Sequence, residues 1–355
     1  MAMNVDEKYI LRCLQLAQNG KGRVNPNPMV GAVVVHNNKI VGEGYHRKYG
    51  CAHAEVNAID SVKDRSLLSQ STLYVSLEPC SHYGKTPPCA KLIIESKIPR
   101  VVIAVKDPNP KVSGRGIQML RDAGIEVVTG ILEKEAREIN KPFFCFQEKH
   151  RPYIYLKWAQ TFDGFIDKLR QQDEKPQPTL ISNSFSKMLV HKKRSEIMAI
   201  MIGTNTALKD NPVLTTREWY GDNPIRIVID RLGRIPEKYQ IFNSQARTIC
   251  FTEVKEPEIS LANVTFIQVR FDEKLLSNIL SNLYYLKINS LLVEGGQQLL
   301  VSFIKENFWD EAYVEIADKE FGNGVKAPHI DGETIEELYY GKSKHLHLKN
   351  ADPQD

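Results

Sequence analysis

The sequence predicts an α/β protein of two domains, and three observations carry that expectation. A chain of 355 residues exceeds the roughly 250–300 residues at which one hydrophobic core stops growing. Strand-like and helix-like segments alternate along both halves, as in sheets joined by helical crossovers. Between residues 147 and 152 a short charged stretch holding a proline breaks the alternation and a new strand starts at Tyr153, giving domains 1–148 and 149–355.

In the first half, helical spacing predicts a helix over 9–17 that ends at Asn19-Gly20, a common stop signal. A polar loop over 21–28 precedes two β-rich runs, 29–36 and 39–46, with Asn37-Asn38 reading as the hairpin turn. A helix over 53–62, a strand over 72–77, a short helix over 90–96 and a buried strand over 100–105 follow. A helix over 117–123 and a strand over 125–128 then flank Gly124, so a largely parallel sheet is expected. In the second half, strands over 153–159, 197–202, 226–229, 248–252, 290–293 and 312–316 alternate with helices over 183–194, 273–285 and 297–306.

Composition narrows the function classes. Charged residues make up 25% and hydrophobic residues 42%, which argues against extensive disorder, and the longest apolar runs are too short to span a bilayer. Asp6, Glu7 and Lys8 stand where a signal peptide needs an apolar stretch, so a cytoplasmic location is expected. Net charge is +4, with 20 Lys and Arg against 15 Asp and Glu through Glu148 and 27 against 28 beyond it. Such an excess suits an anionic small substrate and demands neither nucleic acid nor membrane.

The densest chemistry is His53-Ala54-Glu55, followed by Pro79-Cys80 and Cys89. One imidazole and two thiolates give zinc three ligands and leave the fourth position for water, the open arrangement of a catalytic site. Glu55, two residues past His53, suits a proton shuttle. His-x-Glu followed by Pro-Cys is the signature of zinc base deaminases, although eight residues here separate Cys80 from Cys89. Cys13, Cys51, Cys145 and Cys250 have no partner at such spacing.

The insert Ser81-His82-Tyr83-Gly84-Lys85-Thr86-Pro87-Pro88 is more specific than the ligands alone. Together with Asn25-Pro26-Asn27-Pro28-Met29-Val30-Gly31, Gly42-Glu43-Gly44-Tyr45-His46 and Asp107-Pro108-Asn109-Pro110, it resembles the bifunctional deaminase/reductase of bacterial riboflavin biosynthesis. The resemblance implies a cytidine-deaminase-like three-layer domain that deaminates 2,5-diamino-6-ribosylamino-4(3H)-pyrimidinone 5′-phosphate, with substrate positions at Asn27, His46 and Lys85. Read on their own, His46 and Lys85 fit solvated surface cations.

The second half lacks a Gly-x-Gly-x-x-Gly fingerprint. The run from Ser290 through Gly295-Gly296 into a helix is locally weak evidence for a phosphate site. Lys157-Trp158-Ala159-Gln160-Thr161-Phe162-Asp163-Gly164, the run from Gly203 to Pro212, and Leu214-Thr215-Thr216-Arg217 are similar to the same family's reductase half. That half implies a dihydrofolate-reductase-like fold reducing 5-amino-6-(5-phosphoribosylamino)uracil with NADPH. Substrate contacts are implied at Arg194, Asp210, Leu214, Arg217 and Glu294, with Arg194 and Arg217 suited to a bidentate phosphate clamp. NADPH contacts are implied at Ala159, Thr206, Gly296, Gln297, Gln298, Leu299, Leu300, Val301 and Ser302. The chain departs from the family between Asp163 and Ile181, where a longer basic Gln/Pro-rich stretch ends with Leu180 in place of a tryptophan. A homodimer is implied. The competing readings are a zinc deaminase of another nucleobase or of tRNA, with a divergent second domain, and a metal-stabilised binding protein, against which Glu55 argues.

Overall fold

The computed structural model describes residues 4–81, 87–109, 113–171, 174–257 and 259–354. Two compact units emerge, Met1–Lys149 and His150–Asp355, and each is described by itself.

The first unit runs α1 (Val5–Ala17), β1 (Gly31–His36), β2 (Lys39–Tyr45), α2 (Ala54–Asp60), β3 (Thr72–Val75), α3 (Cys89–Glu95), β4 (Arg100–Ile103), α4 (Arg115–Asp122), β5 (Glu126–Thr129), α5 (Glu133–Ile139) and α6 (Lys141–Glu148). Asn4 opens α1 with a capping box to Glu7, satisfying backbone N–H groups that have no partner inside the helix. Asn37 and Asn38 both adopt positive φ, 48° and 59°, the backbone of a two-residue hairpin turn. The sheet order is β2-β1-β3-β4-β5. It is mixed where a largely parallel sheet is expected: β1 is antiparallel to both β2 and β3, and only β3, β4 and β5 run parallel. The hairpin reverses the chain before the first helical crossover, which fixes that difference. Strand residues of alternating parity feed two cores, one under α2, α3 and α4 and the other under α1, α5 and α6. The result is a three-layer sandwich.

The second unit runs β6 (Tyr153–Thr161), β7 (Phe165–Asp167), α7 (Ser184–Glu196), β8 (Ala199–Gly203), α8 (Thr204–Asp210), β9 (Ile225–Ile229), β10 (Thr248–Thr252), β11 (Val264–Gln268), α9 (Leu275–Tyr285), β12 (Ser290–Gly295), α10 (Gln297–Lys305), β13 (Glu311–Ala317), β14 (Val325–Lys326), β15 (Glu333–Tyr340) and β16 (Ser343–Lys349). Nine strands form one sheet in the order β11-β10-β9-β8-β12-β6-β13-β16-β15, and β14 pairs with β7. The seven strands from β11 to β13 are parallel, and the terminal hairpin is antiparallel. Ile154, Leu156 and Trp158 of β6 face the main core with α9 and α10. The intervening residues, including Lys157, face the other side of the sheet, where α7 lies against Lys157 and the β13 and β16 side chains around a small cavity. Among the described residues no helix is long and apolar enough to cross a membrane.

Candidate active sites

In the first unit, chain geometry aims three donor atoms at one point. His53 is the extended N-cap of α2 (φ −74°, ψ 168°), and Glu55 lies buried in the first turn of that helix. Cys80 follows β3, and Cys89 is the first residue of α3. The Cys89 backbone N–H donates to Cys80 Sγ at 3.3 Å, and the Ala90 N–H donates to the Cys80 carbonyl at 3.2 Å. His53 Nδ1 lies 3.6 Å from Cys80 Sγ and 3.4 Å from Cys89 Sγ, and all three ligand atoms fall within 4.8 Å of one another. A tetrahedral zinc with bonds of about 2.3 Å to sulfur and 2.0 Å to nitrogen has a sulfur–nitrogen edge of about 3.5 Å. The donor set and its spacing therefore fit zinc. The hydrogen bond from Cys89 and the neighbouring His53 hold the Cys80 thiol down at about 4 against the effect of burial, while Cys89 is pushed up by its bond to Cys80 and by burial. Burial, reinforced by Cys80, raises Glu55 to about 7.

His46 is no solvated cation. It is only 3% exposed, and burial, with His53 close by, holds its pKa below the ordinary value. Its Nδ1 lies 3.1 Å from the Ala52 carbonyl and its Nε2 3.3 Å from Asn27 Nδ2, so a neutral ring donates through Nδ1 and accepts from the amide. The ring also meets His53 edge-on, with centroids 5.5 Å apart. Asn27 and His46 are thus joined beside the metal-ligand cluster, whereas Lys85 lies outside the described residues, as do its neighbours 82–86 and Pro110.

Sequence reasoning misses Glu78. This carboxylate is buried, and Oε2 accepts backbone N–H bonds from Asp107 (3.2 Å) and Gly114 (2.9 Å) while Oε1 accepts them from Gly116 (3.0 Å) and Ile117 (3.2 Å). It ties the segment leading to Cys80 to the start of α4. Gly116 packs so tightly there that a Cβ would stand 2.0 Å from the Pro79 carbonyl oxygen. The available signal was an acidic residue directly after a buried strand.

In the second unit a cavity of about 1030 Å³ opens at the carboxyl ends of the central strands and brings together Ala159, Arg194, Thr206, Asp210, Leu214, Arg217 and Glu294. Gly296, Gln297, Gln298, Leu299, Leu300 and Ser302 also line it, but Val301 does not; its side chain is exposed on α10. The paired glycines have a packing reason: a Cβ on Gly296 would come within 2.8 Å of Thr206 Oγ1, which accepts the Gly296 N–H at 2.9 Å. The turn into α10 is thereby held against α8, with the first turn of α10 at the cavity. Leu214, almost fully buried, adopts φ 55°, a strained backbone for leucine that often accompanies a functional site.

Two expectations change. Arg194 does not stand ready as half of a phosphate clamp, because Nε and Nη2 donate to the two Glu294 oxygens at 3.0 and 2.6 Å and Nη1 to the Thr215 carbonyl at 3.2 Å. Its charge is already satisfied. Burial opposes ionisation of Glu294, but Arg194 and Lys157 outweigh it and hold that pKa below the ordinary value. Arg217, whose guanidinium makes one long contact at 3.5 Å to Thr215 Oγ1, is the member of that pair with charge to offer an anion. Asp210 in turn is paired at 2.8 Å with Arg170 of the departing basic stretch. Arg170 also bonds Asp167, Thr179 and the carbonyls of Gln177 and Lys209, so the stretch forms one wall of the cavity, with Leu180 exposed beside it. Lys157, part-buried on β6 and lowered in pKa by that desolvation, lies next to Glu294 and Glu315.

A three-layer domain with a His/Cys/Cys cluster and a buried glutamate, followed by a mostly parallel sheet with a nucleotide-sized cavity, defines a zinc deaminase joined to a reductase. Residues 3–105 match the family described as cytidine and deoxycytidylate deaminase zinc-binding region, and residues 152–353 match the RibD C-terminal domain. The chain is 42% identical over 355 residues to the riboflavin biosynthesis protein RibD of Aquifex aeolicus, covering 99% of this chain and 98% of that one. It is 35% identical to RibD of Escherichia coli, covering 90% of each. Among solved structures, the diaminohydroxyphosphoribosylaminopyrimidine deaminase/5-amino-6-(5-phosphoribosylamino)uracil reductase of Thermotoga maritima superposes with a TM-score of 0.87 at 36% identity, covering 98% of this chain and 99% of that chain. Acinetobacter baumannii RibD superposes at 0.89 with 28% identity and complete coverage of both chains. The chain belongs to the RibD family and is a bifunctional deaminase and reductase of riboflavin biosynthesis, with a zinc-binding deaminase domain and an NADPH-using reductase domain.

Proposed function

We propose that the first unit deaminates the phosphorylated diaminopyrimidine ribosylamine named for the Thermotoga relative, and that the second reduces the resulting ribosylaminouracil phosphate to its ribityl form. The observation that carries the first half is the convergence of His53, Cys80 and Cys89 beside buried Glu55. Zinc held by these three groups supplies the Lewis acidity that makes water a competent nucleophile near neutral pH. Glu55 takes a proton from the attacking water and delivers it to the amino group that leaves as ammonia. Asn27, oriented by neutral His46, reads the polar edge of the pyrimidine, and Lys85 contacts its phosphate or ribose.

For the second half, NADPH supplies the hydride. Thr206, Ala159 and the first turn of α10 hold the dinucleotide, with backbone N–H groups at a helix start favouring its phosphates. Arg217 binds the substrate phosphate. Arg194 acts one step back by keeping Glu294 ionised and oriented toward the ribose, and Asp210 reaches the ribose only in exchange for Arg170. A cytoplasmic homodimer acting on small phosphorylated pyrimidines, without nucleic acid or membrane, completes the reading. Exposed Ile335, Leu338 and Tyr339 on edge strand β15 support association, which light scattering tests.

The decisive assay scores ammonia and NADPH oxidation separately on one sample. Chelator treatment should abolish ammonia release from the diaminopyrimidine and leave NADPH oxidation with the pre-deaminated intermediate intact. Loss of both together, or of neither, refutes the division of labour.

A further inference from the structure

A second, smaller cavity of about 200 Å³ lies against the face of the sheet that carries Lys157, and it shares Lys157 and Glu294 with the large cavity. Strand register explains how. Val293 of β12 pairs with Leu156 of β6, Tyr313 of β13 with Lys157, and Glu315 of β13 with His345 of β16. Paired residues point to the same face of a sheet, so Glu294, Lys157, Glu315 and His345 share one face of four adjacent strands, with the Glu315–His345 pair two residues further along β13 and β16 than the Tyr313 that stands opposite Lys157. The group reaches from the reductase cavity to a part-buried histidine in the terminal hairpin.

Glu315 is the unusual member. It is 2% exposed; Oε2 accepts a hydrogen bond from Ser182 at 2.5 Å, and Oε1 has no hydrogen-bond partner among the described residues. A buried polar atom in that state costs about 1–3 kcal/mol, which asks for a reason. His345 Nε2 lies 3.0 Å from Ser186 Oγ. Lys193 of α7, Glu336 of β15, and Tyr313 and His347 complete the polar lining. At about 30 Å³ per water the cavity has room for several.

We propose that Glu315 and His345 are a proton relay that recharges Lys157 from solvent through the small cavity. The proposal rests on the reductase reading. Reduction of the ribosyl group forms a C–H bond at C1′ with the hydride of NADPH, breaks the bond from C1′ to the ring oxygen, and places a proton on that oxygen, leaving NADP⁺. One proton is consumed per turnover. The Lys157 ammonium gives it up at the substrate, and the amine regains a proton through Glu315, which passes on one that His345 takes from solvent. Glu315 and His345 touch no substrate and are positioning residues that act through Lys157.

The test uses the full chain, with the intermediate made by its own deaminase. Glu315→Gln should lower kcat for NADPH oxidation about 100-fold with KM for NADPH unchanged. The solvent deuterium effect on kcat should rise and the effect of deuterated NADPH should shrink. His345→Ala, at a part-buried position beside the small cavity, should behave alike and regain turnover with added imidazole. Without any substrate, Glu315→Gln should also shift the ring-nitrogen NMR signals of His345. Wild-type turnover in both variants overturns the relay, as does a fall in turnover with unchanged isotope effects and no imidazole rescue. No NADPH oxidation by the wild-type chain overturns the reductase reading and the relay with it.

Discussion

Glu78→Gln is the sharpest test of how the deaminase site is held. Each carboxylate oxygen of Glu78 accepts two backbone N–H bonds, four in all at 2.9–3.2 Å, and the group is 4% exposed. Glutamine is nearly isosteric but turns one oxygen into an NH₂ that faces two donors, so two bonds to a charged acceptor are lost. At about 1.5–3 kcal/mol each, the cost is about 3–6 kcal/mol. Because Glu78 lies two residues before Cys80 and clasps the start of α4, the loss should fall on the metal cluster as well as on stability. Urea unfolding of the first unit, read beside zinc content by elemental analysis, should show the transition at lower urea and zinc bound more weakly. Reductase turnover on pre-deaminated intermediate should be unchanged. A variant within about 1 kcal/mol of wild type, with full zinc, would refute the reasoning.

Glu55→Gln should keep fold and zinc yet lose ammonia release by about 100-fold or more, checked by coupled ammonia assay; release at the wild-type rate sinks the proton-shuttle role. Gly116→Ala should destabilise the first unit, since its Cβ would meet the Pro79 carbonyl oxygen at 2.0 Å; an unchanged unfolding midpoint would contradict that packing. Arg194→Met should cost about 3–5 kcal/mol at pH 7 by stranding buried Glu294. The sign follows from the two pKa values: in wild type the folded pKa of Glu294 is depressed, so its stabilisation is present above the unfolded value near 4.5 and is lost as pH falls through the folded one. In the variant burial raises it, and stability is lost as pH rises. The gap between the two proteins should therefore widen from pH 4 to pH 7 in urea titrations, and a constant gap refutes the assignment.

How much of this was readable beforehand depends on range along the chain. The hairpin at Asn37-Asn38 was legible because two successive residues with positive φ carry their own sequence preference. The grouping of His53, Cys80 and Cys89 was legible because each stands beside a short local element, at a helix cap, in the loop after a strand and at a helix start, and both α/β halves showed in their alternation. The terminal β15–β16 hairpin was not anticipated. Strand β15 is exposed along nearly its whole length and shows no buried face for periodicity to report, so its pairing with β16 is a matter of register.

The sequence by itself determined the two α/β domains, the residue types of a zinc deaminase and the absence of a glycine-rich dinucleotide fingerprint. It supplied the charges without saying which charge stands opposite which. Only the tertiary structure decided that His46 is a buried neutral ring beside Asn27, that Arg194 is spent on Glu294 a hundred residues away, that Arg170 of the divergent stretch holds Asp210, and that Glu78 binds the start of α4. The physical reason is common to all four. Charge state and hydrogen-bond partnership depend on burial and on neighbours brought in by strand register and helix packing, and neither is a local property of the chain.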